Sequence, residues 1–131
     1  MKLEGIDHVA LSVADVERST NWYMNILGFQ RRFDGMWDGV PVFIGLGDTA
    51  LALFPIRSGK PSAGAAGAAG NPRILHLAFR ADQESFAAAQ RELTTRGIAF
   101  EFQDHEISHS IYFRDPDGHE LEITTYEIEK H

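Results

Sequence analysis

Two stretches of this chain, 68 residues apart, share the pattern I-x-H-x-A, and that repeat constrains the fold more than any other feature. The first reads I-D-H-V-A-L-S-V (Ile6 to Val13) and the second I-L-H-L-A-F-R-A (Ile74 to Ala81). Each alternates as a strand does, and each is followed by an amphipathic segment that ends at a glycine. A chain built from two copies of one supersecondary unit buries a core by equivalent packing in both halves. His8 and His76 occupy the same place in the repeat, which argues against their being unrelated core histidines.

Each copy predicts the order βαβββ. In the first, a strand over Lys2 to Val13 precedes an N-cap at Asp15. Val16, Trp22, Tyr23, Ile26 and Leu27 then form a helical face, closed at Gly28. Strands follow over Phe29 to Phe33, Val40 to Leu46 and Thr49 to Ile56, with Gly47-Asp48 as a hairpin turn. In the second copy the strand is Arg73 to Arg80 and the cap is Asp82. The helix carries Phe86, Ala87, Gln90, Leu93 and Thr94 and stops at Gly97. Strands over Ile98 to Phe102, Ser110 to Arg114 and Glu120 to Tyr126 follow, the last two joined by the turn Asp115-Pro116-Asp117-Gly118. The fold class read from this is α+β, with two βαβββ modules pairing into a cupped mixed sheet. The 131 residues read as a single domain, with modules at 1–57 and 73–131 and a Gly/Ala-rich linker at 58–72. That linker is read as a plain flexible connection first, as a lid over the site second, and as a segment permitting domain swapping.

Composition narrows the function. Nineteen acidic against 12 basic residues give a net charge of -7, which excludes nucleic acid and anionic membranes as expected partners. The absence of cysteine excludes disulfides, thiolate metal sites and cysteine nucleophiles. The N-terminus has no apolar signal region, and no window approaches a membrane span of about 18 apolar residues. A cytoplasmic protein acting on a small molecule is the expectation.

Taken singly, a strand histidine is more often a hydrogen-bonded structural residue than a ligand. The repeat alters that balance. Alternation puts His8 on a face with Ile6, Ala10 and Ser12, His76 with Ile74, Ala78 and Arg80, and Glu122 with Glu120 and Thr124. Three strands can therefore each aim one donor into a common concavity. Two imidazoles and a carboxylate leave open positions on a divalent ion, Fe(II) first, with Mn(II), Zn(II) and Ni(II) as alternatives.

I-D-H-V-A-L-S-V-A-D, Trp22-Tyr23, Leu27-Gly28-Phe29, I-L-H-L-A-F and the stretch Y-F-R-D-P-D-G-H-E-L-E-I (Tyr112 to Ile123) together resemble the vicinal oxygen chelate superfamily. That group contains glyoxalases, bleomycin and fosfomycin resistance proteins, and extradiol ring-cleaving dioxygenases. The resemblance spans the chain apart from the linker. It implies paired βαβββ modules forming a cup around a divalent metal, usually in a homodimer, and supports His8, His76 and Glu122 as the ligands.

The branches of the superfamily imply different chemistries. A glyoxalase would add a glutamate near Ala52, where this chain offers only Ala52, Leu53 or Phe54. Extradiol dioxygenases place a tyrosine ten residues before the glutamate, as Tyr112 stands to Glu122 here. They also place an acid/base histidine ahead of that tyrosine, a role open to His105 or His109. Dedicated ring-cleaving enzymes, however, usually have four modules. Fosfomycin-modifying thiol transferases match the ligand set and the length but imply an arginine soon after the glutamate. The tail I-T-T-Y-E-I-E-K-H has only Lys130, which leaves Arg80 and Arg114 as cations, so this reading ranks lower. A binding protein of the bleomycin-resistance kind would suit the negative charge, but such proteins typically lack metal ligands. A glyoxalase-like lyase or isomerase is the remaining alternative. Trp22, Phe43 and Phe54 read as core. Trp37, in a glycine-rich loop, reads as a substrate contact, with Arg80 as a second. Terminal His131 and turn-borne His119 carry no assignment.

Overall fold

The computed structural model describes residues 1–56 and 72–128. Residues 57–71 and 129–131 lie outside that range, and with them the expectations for the linker, its role as a lid, and for Lys130 and His131. The chain divides into two compact units, Met1–Lys60 and Pro61–His131.

The first unit holds β1 (Val9–Val13), α1 (Val16–Leu27), β2 (Gln30–Arg32), β3 (Val42–Leu46) and β4 (Thr49–Pro55). Its sheet runs β1-β4-β3-β2, with β1 parallel to β4 and the other pairs antiparallel. The helix starts where the Asp15 carboxylate accepts the Arg18 backbone N–H at 3.0 Å, and it ends at Gly28 with φ of 79°. A residue with a Cβ would strain that left-handed position. Val13, Ile44, Leu51 and Leu53 on the sheet and Tyr23 on the helix are fully or almost fully buried. Each large apolar chain taken from water there contributes about 1.5–3 kcal/mol, so this face sets the core of the unit.

The second unit repeats the plan with β5 (Leu77–Arg80), α2 (Gln83–Thr95), β6 (Glu101–Asp104), β7 (His109–Arg114) and β8 (Glu120–Thr125). The order is β5-β8-β7-β6, again with one parallel pair, β5 with β8. Asp82 caps α2 by accepting the Ser85 N–H at 2.7 Å. Ile111, Phe113, Leu121 and Ile123 bury one face of the sheet, while Phe86 and Leu93 are buried on the helix. Two four-stranded mixed sheets with two helices make the fold α+β, as the repeat predicts.

Three strands begin at least three residues later than their sequence suggests. β1 starts at Val9 rather than Lys2, and β5 at Leu77 rather than Arg73. The cause lies in the partner strands. Val9 pairs with Leu51 and Leu77 with Leu121, so in that register residues upstream of Asp7 and of His76 run past the starts of β4 at Thr49 and β8 at Glu120, where the Gly47-Asp48 and Asp115–Gly118 turns lie. His8 and His76 are each the residue immediately before a ladder, not mid-strand. β6 starts at Glu101 instead of Ile98 because the Ile98 N–H is spent on the Leu93 carbonyl, which completes the end of α2. No helix among the described residues is long and apolar enough to cross a membrane.

Candidate metal and substrate site

The face of the second sheet turned away from its buried apolar residues carries most of the predicted chemistry. Tyr112 and Glu122 are direct cross-strand partners, and Ala78 stands beside Glu122, which puts His76 two residues earlier on the same face. His76 Nε2 lies 2.9 Å from Glu122 Oε1. The other carboxylate oxygen, Oε2, accepts the Ser110 hydroxyl at 2.7 Å. Ser110 is fully buried and also lies 3.0 Å from Thr124 Oγ1. A carboxylate only accepts, so the Ser110 proton goes to Glu122 and its lone pair takes the Thr124 hydroxyl.

This donor set fits a divalent ion. Adjacent donors on an octahedral ion with bonds of about 2.1 Å stand about 3.0 Å apart, close to the His76–Glu122 separation. One imidazole nitrogen and one carboxylate oxygen converge, while the second carboxylate oxygen is fixed from behind by a hydroxyl, the usual outer support of a ligating carboxylate.

Tyr112 and His105 meet on the same face. The His105 Nε2 to Tyr112 OH distance is 3.0 Å, and the Tyr112 ring sits edge-on to His76 with centroids 5.8 Å apart. Burial, followed by the negative charge of Glu122, pushes the Tyr112 hydroxyl above the ordinary phenol value. It is therefore a neutral donor at physiological pH. His105 reaches it because the β6–β7 connection turns tightly, with the His105 N–H on the Ser108 carbonyl and the Glu106 N–H on the Asp104 carboxylate.

His109 points the other way. It is three residues before Tyr112, so strand alternation puts it on the helix-covered face. There its ring meets Phe102 at 5.1 Å, and its Nε2 lies 3.6 Å from Asp104 Oδ1. The structure thus brings together His76, Glu122, Tyr112 and His105, but not His109. Arg80 is exposed on the same face as His76, at the end of β5. Arg114 follows Tyr112 on this face and donates to the Gly118 carbonyl at 2.7 Å. An open cleft of about 530 Å³ lies along Tyr112, Arg114, Glu101 and Glu120.

In the first unit, His8 Nδ1 bonds the Asp7 carboxylate at 2.8 Å, which leaves Nε2 without a hydrogen-bond partner among the described residues. Its ring meets Phe43 edge-on at 5.0 Å. Trp37 is exposed and contacts both Phe43 and Phe33, at 5.4 and 5.9 Å between centroids. Ala52, where a fourth ligand would stand in a glyoxalase, is fully buried and offers no donor atom.

Sequence reasoning passed over two features. Asp115, Asp117 and His119 bring potential ligand atoms within 4.8 Å of one another. The buried Asp115 carboxylate is nevertheless occupied, accepting the N–H groups of Asp117 and His119 at 2.9 Å each and meeting His119 Nδ1 at 2.7 Å. It locks the β7–β8 turn. The second feature is Arg32, which stands directly across from Phe43 and donates to the Gly47 carbonyl at 2.6 Å. Only the strand register reveals that it shares a face with His8.

A sheet of this order bearing an imidazole, a carboxylate and a tyrosine defines a class of small βαβββ-repeat proteins. The chain matches the family described as Glyoxalase/Bleomycin resistance protein/Dioxygenase superfamily over residues 5–123, and it belongs to that family. It is 26% identical to the glutathione transferase FosA of Serratia marcescens, covering 92% of this chain and 80% of that protein. It is 29% identical to the catechol-2,3-dioxygenase of Bacillus subtilis over 90% of this chain, but spans only 40% of that protein. Among solved structures, a glyoxalase/dioxygenase from Nostoc punctiforme superposes with a TM-score of 0.75 at 27% identity, covering 93% of this chain and 90% of that one.

Proposed function

We propose that this chain is a metal-dependent enzyme, extradiol-dioxygenase-like, acting on a small substrate that chelates through vicinal oxygens. The ligand set is His8, His76 and Glu122, with Fe(II) as the first choice of ion. The observation that carries the reading is the His105–Tyr112 hydrogen bond beside the His76–Glu122 pair. A divalent ion supplies Lewis acidity and open positions for the two substrate oxygens. The chain's own residues do the remaining work. Ser110 holds Glu122 in place. His105 takes a proton from the substrate hydroxyl and returns it later, through Nε2, the atom that faces the Tyr112 hydroxyl. Tyr112 stays protonated and donates to the oxygen on which negative charge develops. Exposed apolar residues just upstream of the two ladders, Leu3, Ile6, Ile74 and Leu75, support a homodimer.

A second reading, thiol transfer, is favoured by coverage. The chain spans 80% of FosA and 84% of the metallothiol transferase FosB of Staphylococcus epidermidis, against 40% of the catechol dioxygenase. One experiment separates the two. Protein purified without chelators is loaded anaerobically with Fe(II) and assayed for O₂ uptake across a catechol panel. A parallel Mn(II)-loaded sample is assayed for thiol loss with fosfomycin and glutathione. O₂ uptake without thiol loss supports the first reading, and the reverse result replaces it with the second. Protein that takes up no metal refutes both.

A further inference from the structure

The aromatic cluster beside His8 is not accounted for by the core. Phe33 and Trp37 are 60% and 47% exposed, although each contacts the other and Phe43. Their backbone is held in the left-handed region, with φ of 58° at Phe33, 56° at Trp37 and 51° at Asp38. Bulky residues seldom adopt that conformation, and strained positions of this kind cluster at ligand-binding and active sites. The result is a ring surface turned to solvent. Phe43 touches these two rings and also the His8 imidazole.

Arg32 adds a charge to this surface. It is the cross-strand partner of Phe43, on the same face of the sheet. Its guanidinium lies flat over Gly45, where any Cβ would collide with it. One N–H is used on the Gly47 carbonyl. No carboxylate pairs with Arg32 among the described residues, and the exposed Asp34 and Asp38 of the neighbouring loop do not engage it. A half-buried guanidinium with donors to spare, in a chain of net charge -7, is a local exception that suits an anion. The floor between Arg32 and the β1 edge is made of small side chains, Ala10, Ala50 and Ala52.

We infer that this face is a subsite for an aromatic acid. The rings of Phe33, Trp37 and Phe43 take the flat face of the ligand, and Arg32 takes its carboxylate by a forked pair of hydrogen bonds. The inference rests on the proposed function only in assigning this ligand to the enzyme's substrate. It specifies a ring bearing an acidic substituent over a neutral one.

The test uses the metal-free full-length protein, so that its failure is separate from failure of the metal reading. Tryptophan fluorescence is titrated with 3,4-dihydroxybenzoate and with its uncharged methyl ester, and Trp37→Phe identifies the reporting residue. The acid should bind about tenfold or more tightly than the ester, the worth of one charge-assisted hydrogen bond. Arg32→Gln should abolish that preference while leaving the ester unchanged, and Trp37→Ala should weaken both ligands. Because Arg32 also holds Gly47, Arg32→Lys is titrated alongside and should retain part of the preference. Equal binding of acid and ester by the parent, no binding of either, or an undiminished preference in Arg32→Gln overturns the inference.

Discussion

Replacing Ser110 with alanine tests whether Glu122 is held ready as a ligand. Ser110 is fully buried, and its hydroxyl is the hydrogen-bond donor found on Glu122 Oε2, at 2.7 Å. Glu122 itself is only 8% exposed, so water is poorly placed to substitute. A hydrogen bond to a charged group is worth about 1.5–3 kcal/mol. Its loss also frees the Thr124 hydroxyl, 3.0 Å from Ser110 Oγ, whose other neighbour is the His109 carbonyl at 3.3 Å. Part of that energy is lost with and without metal and appears as lower stability. The remainder is orientational, and outer supports of this kind are worth about 10- to 100-fold in metal affinity, which corresponds to about 1.4–2.8 kcal/mol. Competition of Co(II) against a chromophoric chelator measures the affinity, and thermal melting measures the stability. Ile111→Ala is the control, since Ile111 is adjacent in sequence but fully buried on the opposite face. It should cost about 2–5 kcal/mol of stability with metal affinity unchanged. A folded Ser110→Ala protein that binds Co(II) within twofold of the parent would refute the positioning role.

Other outcomes follow from the same geometry. His76→Ala should fold and melt as one transition but lose most of its metal affinity; unchanged affinity in a dialysis measurement would exclude His76 as a ligand. His105→Gln should lower turnover by about 10²- to 10⁴-fold with metal content unchanged, whereas His109→Gln, on the other face, should leave turnover within a few-fold of the parent. Hydrogen bonds from Ser85 lower the Asp82 pKa in the fold, so the cap it provides is present above the ordinary carboxylate value and lost as pH falls through the lowered one. Asp82→Asn keeps the cap but not the titration. Its melting temperature should fall less steeply than the parent's below that ordinary value, and parallel curves would show that Asp82 does not couple to folding.

Features set by neighbouring residues were legible in the chain. Asp15 with Gly28 and Asp82 with Gly97 bracket the two helices, because a cap is a contact between residues three or four apart. The Asp115–Gly118 turn was legible for the same reason, with Gly118 N–H on the Asp115 carbonyl at 3.0 Å. The starts of β1 and β5 were not, since the partner strands begin at Thr49 and Glu120 and leave residues upstream of Asp7 and His76 nothing to pair with in that register. The face of His109 could have been read from alternation alone, by counting back from Tyr112. Nothing local, in contrast, brings Arg32 onto Gly45 or Ser110 onto Glu122. Both depend on cross-strand register, which periodicity leaves open by whole steps of two residues.

The stepwise end of each ladder has a thermodynamic consequence. His8 and His76 sit just outside the paired strands, and residues 1–8 and 72–76 make no backbone hydrogen bond among the described residues. An ion that grips either imidazole must also immobilise the chain leading to it, at about 1–2 kcal/mol for each residue so fixed. Part of the intrinsic bond strength is thus absorbed in ordering these leads, and the protein should hold its ion more loosely than the same donors on a rigid strand would. Amide exchange should register this as slowing confined to 5–8 and 73–76 when metal is added, with β4 and β8 unaffected.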